Sequence, residues 1–239
     1  MKKGTDNSWI SFSDIMTVLM VVFMFIAIAY IVEVQKRQAE RDLIFEEFKA
    51  TTEALYAELD QEFKDDFKEW QVQLDKDLSI KFANPEVLFS LGSAQIRPYF
   101  QEILDNFLPR YIGILTQPKY KDRISEIRIE GHTDLLPVAG EDIPYVGNLK
   151  LSQERSAAVM EFFIASDYYR SKPDSTRWWL LYNLTANGLS YGKTLDTNGE
   201  YTFNSGLPVD DEQSRRVEFR IVTNSQRILQ RVIAEMEDQ

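Results

Sequence analysis

The chain contains no cysteine. Disulfides, thiol catalysis and thiolate metal sites are therefore excluded, while the redox compartment stays open. It holds one histidine, His132. A lone imidazole with no thiol and no neighbouring nucleophile supports neither a metal site nor a triad, and no enzyme is legible here. Basic residues are the minority: 27 Lys and Arg against 38 Asp and Glu, a formal charge of −11. That balance argues against nucleic acid as a partner, because phosphate binding needs clustered Lys and Arg. Between Thr5 and Asn84 there is neither glycine nor proline. So long a stretch without a breaker, rich in Glu, Lys, Ala, Leu and Gln, predicts helix as far as about Asp77.

What that helix contains is an uncharged apolar run, Ile15 to Val32, with Asp14 at its head. Counted from Ile10 the stretch is 23 residues, enough to cross a hydrocarbon core of roughly 30 Å. A carboxylate inside a spanning helix costs at least ~2.5–3.5 kcal/mol even on the lenient insertion scale. A chain that only needed an anchor would carry Leu or Ala there. Asp14 reads as a working carboxylate that takes up and releases a cation; the alternative is a residue in the headgroup layer, beside the interfacial Trp9. Lys2 and Lys3 resemble the start of a signal peptide, but the run is too long and no small-residue cleavage site follows. The flanking charges leave orientation weakly encoded, with Lys36, Arg37 and Arg41 after the span.

The 239 residues, 44% of them hydrophobic, suffice for one spanning helix and one globular domain. The organisation expected is a short N-terminus (1–9), a transmembrane helix (10–32), a helical stalk (33–78) and a folded domain (79–239). The stalk has an apolar stripe at Phe48, Leu55, Leu59, Phe63, Phe67, Trp70 and Leu74. Such a stripe needs cover, either from a second copy in a homodimer or from the folded domain; the dimer is the expectation. A straight stalk would hold the domain roughly 60–70 Å from the membrane.

Beyond Pro85 short strands alternate with amphipathic helices. Strands are expected at 86–89, around Ile124, Ile127 and Ile129, at 184–190 and at 215–222. Helices are expected from Pro98 to about Thr116, at 151–167 and from Ser225, with a turn or short helix at 177–182 and a polar loop at 200–214. This order predicts an α/β (α+β) domain with a mixed sheet. One strand ends in Gly131-His132-Thr133-Asp134, and a second cluster runs from Asn148 to Arg155. Glycine at 131 would permit a turn that a side chain forbids. Ser152 reads as a helix N-cap, with Arg155 in the first turn. Asp134 and Arg155 together suit a zwitterion, an ammonium on the first and a carboxylate on the second; the alternative is that they pair with each other.

Three motifs in order, Gly131-His132-Thr133-Asp134, Asn148-x-x-Leu151-Ser152-x-x-Arg155, and Arg215-Arg216-Val217-Glu218, resemble the OmpA-like peptidoglycan-binding domain. The resemblance implies that Asp134 and Arg155 grip the diaminopimelate of the stem peptide, with Thr133 and Asn148 assisting. The loop 135–147 is longer than the usual form and holds two prolines. At the other end, Ser8-Trp9-Ile10-Ser11-Phe12-Ser13-Asp14-Ile15-Met16-Thr17 is similar to the start of MotB, the peptidoglycan-anchored flagellar stator subunit. There the matching aspartate carries a proton or sodium ion, so the resemblance gives Asp14 that role. The very short pre-membrane tail and the stretch 107–112 look more like the MotB-like subunit of Zorya anti-phage systems.

These resemblances imply an inner-membrane, single-pass, ion-conducting stator subunit with its N-terminus in the cytoplasm and its domain outside. A dimer of it would sit in a ring of MotA-like multi-span chains, use no cofactor beyond the transported ion, and drive a defence effector or a flagellum. The rivals are a passive tether between membrane and peptidoglycan and a TolR-like subunit of an energy-transducing complex. The Gly-His-Thr-Asp domain argues against the last.

Overall fold

The computed structural model describes residues 8–83, 85–90 and 92–224. One helix, α1 (Ser8–Trp70), runs from the N-terminal span into the folded domain. There follow β1 (Val72–Leu74), β2 (Ser79–Phe82), α2 (Pro85–Leu88), α3 (Pro98–Leu115), α4 (Pro118–Lys121) and β3 (Ile124–Gly131). Then come α5 (Pro144–Ala165), α6 (Asp167–Arg170), α7 (Asp174–Asn183), β4 (Leu184–Gly188), α8 (Thr202–Ser205), α9 (Asp211–Ser214) and β5 (Val217–Thr223). The five strands form one mixed sheet in the order β1-β2-β5-β3-β4. β3 and β4 are parallel, joined through the α5–α7 crossover, and the other pairs are antiparallel. The expected fold class, an apolar N-terminal helix followed by an α/β domain with a mixed sheet, is what the chain adopts.

Alternation divides the sheet into two faces. Ile80, Phe82, Ile127, Ile129, Val217 and Phe219 point to one side and are buried in the main core. Lys81, Arg128, Glu130, Arg216, Glu218 and Arg220 point to the other, where Lys81 pairs with Asp75 and the remaining five form a ladder of ion pairs.

The stalk stripe is covered by the chain's own domain, not by the second copy the sequence led us to expect. Leu55, Leu59 and Phe63 are fully buried and Phe67 nearly so. Phe63 meets Phe107 of α3 with ring centroids 5.2 Å apart, and Phe107 meets Phe219 of β5 at 5.1 Å. Arg110 of α3 clamps the same helix, donating from Nε to Glu62 at 2.6 Å and pairing with Asp66 at 2.8 Å. The core thus reaches back to about Thr51, into the stretch expected as stalk. Only residues 33–50 separate span and core, about 27 Å of helix rather than 60–70 Å.

The helix also stops earlier than Asp77. Gln71 takes a φ of 55°, the left-handed conformation that ends helices and is normally left to glycine. A turn then reverses the chain, with Leu78 also at positive φ, and pairs β1 with β2. Other boundaries move too. Residues 86–88 belong to a helical turn rather than a strand, and Phe89 makes only an isolated bridge to Ile96. Helix α5 begins at Pro144, not Leu151. The polar loop 200–214 contains α8 and α9. The C-terminal helix expected from Ser225 lies outside the described residues.

Candidate functional site

Two places carry candidate chemistry. The first is the head of the span. Among the described residues one stretch is long and apolar enough to cross a membrane, and none of it is buried inside the chain. Asp14 stands exposed at its N-terminal end, followed by exposed Ile15, Met16 and Val18.

The second lies at the carboxyl end of β3, and glycine places it there. A Cβ on Gly131 would lie 2.1 Å from the Ser152 carbonyl oxygen, and one on Gly188 would lie 2.4 Å from the Gln153 nitrogen. Gly131 is therefore needed for the close approach of α5, not for the turn the motif suggested. Ser152 is likewise interior to α5 and caps nothing at its start. Its hydroxyl donates to the Leu149 carbonyl and accepts the Ser190 N–H at 3.0 Å, tying α5 to the segment after β4.

The four residues expected in this site are all buried and come together at this end of the sheet. Thr133 donates its N–H to the Ser190 carbonyl, and its Oγ1 has no hydrogen-bond partner among the described residues. Asp134 accepts the Leu136 N–H on Oδ1 at 3.0 Å. Asn148 donates from Nδ2 to the Leu136 and Pro144 carbonyls at 2.9 and 3.2 Å, so it shapes the long loop. Arg155, in the fourth turn of α5 rather than the first, donates from Nε to the Ser93 carbonyl at 3.1 Å and lies over the Phe89 ring. Burial lowers the pKa of its guanidinium, Asp134 raises it, and Arg215 lowers it. Arg155 thus feels Asp134 electrostatically, but the cation bonded to Asp134 is another one.

That cation is Arg215, whose Nη1 donates to Asp134 Oδ2 at 2.5 Å. The sequence showed Arg215 only as part of a motif and gave it no role. Its neighbour Arg216 bonds the fully buried Glu218 at 3.0 Å, on the other face of the sheet. There His132 sits between two buried carboxylates, with Nε2 3.7 Å from Glu130 and 3.6 Å from Glu218. Burial drives its pKa well below 6.5; Arg216, Lys193 and Arg220 push the same way and Glu218 opposes them.

One long apolar N-terminal helix with a carboxylate at its head, continuous with an α/β domain built on a mixed sheet, defines the class of this chain. Over 240 residues the chain is 37% identical to the Zorya protein ZorB of Escherichia coli, a match covering 98% of this chain and 96% of that protein. It belongs to the ZorB family of Zorya proteins. No family model matches it. Among solved structures it is similar to the T6SS cell wall anchor of Pseudomonas aeruginosa, with 24% identity, a TM-score of 0.44, and 70% of this chain and 97% of that one covered. It is also similar to a MotB-like protein of Desulfovibrio vulgaris, with 22% identity, a TM-score of 0.48, and 74% and 93% covered. For the periplasmic domain of Helicobacter pylori MotB the values are 17%, 0.40, 67% and 84%.

Proposed function

We propose that this chain is the ion-carrying, wall-anchored stator subunit of a Zorya anti-phage system. The observation that carries this is a lone carboxylate, Asp14, at the head of an otherwise uncharged span in a chain of the ZorB family. Asp14 binds a cation, proton or sodium, from one side of the inner membrane and releases it to the other. Two copies sit at the centre of a ring of MotA-like multi-span chains, and ion passage turns one component against the other. The N-terminus is cytoplasmic and the α/β domain periplasmic, where Asp134 and Arg155, aided by Thr133 and Asn148, hold the diaminopimelate of peptidoglycan. The role needs no cofactor and no enzyme chemistry; the ion is cargo.

Asparagine has nearly the shape of aspartate but does not take up and release a cation. Asp14→Asn should therefore reach the membrane, co-purify with its partner chains and fail to protect cells from phage, while Asp14→Glu keeps partial protection. Full protection by a membrane-localised Asp14→Asn variant assigns the chain to passive tethering instead.

A further inference from the structure

Two guanidiniums act on one carboxylate at the end of β3, and only one of them is bonded to it. Asp134 is almost wholly buried and is held by Arg215 at 2.5 Å, while Arg155 is directed to the Ser93 carbonyl. A ligand ammonium that reaches Asp134 competes with the Arg215 guanidinium for the same buried carboxylate and, where it wins, displaces it. If the ligand brings only an amine, Arg215 is left without its anion in a position about three-quarters shielded from solvent. If the ligand carries a carboxylate on the same carbon as the amine, Arg215 moves from Asp134 to that carboxylate, and one ion pair becomes two. A site whose charged groups lose their partners rejects the ligand that leaves them unpaired.

We propose that Arg215 is the specificity residue of this site, exchanging Asp134 for the ligand's carboxylate, so that the domain selects a free α-amino-carboxylate centre. It would then discriminate against an amine alone, as in a lysine side chain, and against a centre whose carboxylate is amidated. This rests on the wall-binding role proposed above and adds to it the residue that makes the choice.

The test uses the full chain in detergent and three stem tripeptides: one ending in diaminopimelate, the same peptide amidated at its free side-chain carboxylate, and one ending in lysine. The native chain should bind the first roughly tenfold or more tighter than the other two, the scale of a lost charged hydrogen bond. In Arg215→Ala and Arg215→Gln that preference should shrink to less than about threefold, chiefly because the two analogues bind better once Asp134 has no internal competitor. A native chain that binds all three equally overturns the proposal. So does an unchanged ratio in both folded variants, which would mean that Arg155 alone reads the carboxylate and that Arg215 is structural. Failure of the native chain to bind any of the three overturns the wall-binding role itself.

Discussion

Gly131 and Gly188 lie side by side in the parallel β3–β4 ladder, and both press against the backbone of α5. The sheet and the helix that carries Asn148 and Arg155 can meet only because neither residue has a side chain. Gly131→Ala would place a methyl group 2.1 Å from a carbonyl oxygen of a packed helix, with no flexible side chain to give way. Overpacking of this kind costs about 1–3 kcal/mol, and the rigidity of the neighbour puts the expectation at the upper end. Thermal unfolding of the purified chain should show a lowered Tm for Gly131→Ala. An unchanged Tm would mean that α5 can move back at little cost.

The docking of α1 on the domain offers a second test. Phe63 is fully buried against Phe67 and Phe107 and lies under the Arg110 guanidinium. Phe63→Ala should destabilise the domain by about 3–5 kcal/mol, as for large aromatic truncations in cores. Cysteine placed at Leu59 or Phe63 in this cysteine-free chain should resist thiol reagents in the native state. Ready intermolecular disulfides at both positions would restore the dimer expected from the stripe.

His132 gives a pH dependence whose sign follows from its environment. Glu130, Glu218, Arg216, Arg220 and Lys193 surround it, and burial keeps its folded pKa well below 6.5. The unfolded chain therefore binds a proton, as pH falls through about 6.5, that the folded chain does not take. This residue's stabilising effect is full above pH 6.5 and declines below it, by at most about 1.4 kcal/mol per pH unit. Unfolding measured from pH 8 to pH 5 should show a steeper loss for the native chain than for His132→Gln. Identical slopes would mean that His132 takes up its proton as readily in the fold as in the unfolded chain.

Peptidoglycan sedimentation tests the two charged groups directly. Asp134→Ala and Arg155→Ala should each weaken binding by about ten- to a hundredfold, the cost of removing one partner from a charged hydrogen bond. Equal sedimentation of both folded variants and the native chain would assign these residues to internal pairing alone.

The sequence announced the long apolar N-terminal helix, helix α3 behind Pro98, strand β3 through Ile124, Ile127 and Ile129, and the gathering of Thr133, Asp134, Asn148 and Arg155. Each is a local pattern: hydropathy, a proline at a helix start, period-two alternation, or a motif. What it concealed depends on contacts distant in the chain. Nothing in the composition near Gln71 marks a break, because a non-glycine residue in the left-handed region is sustained by the packing around it. β1 was hidden for the same reason, inside a stretch that reads as helix, and β2 was left unassigned just beyond it. Ser152 imitated a cap, since nothing local distinguishes a serine at a helix start from one bonded across to Ser190. The partner of Asp134 lies 81 positions away, beyond the reach of any spacing rule.

The uninterrupted course of α1 from Asp14 into the core fixes the azimuth of the domain as well as its height. With 3.6 residues per turn, each residue inserted between 36 and 46 would swing the Asp134 end of the sheet by about 100° around the helix axis relative to Asp14. Seven residues make nearly two whole turns and return it to within about 20° of its starting direction, some 10 Å farther out. The length of that stretch therefore sets the compass bearing between Asp14 at one end of the helix and Arg155 and Arg215 at the end of β3.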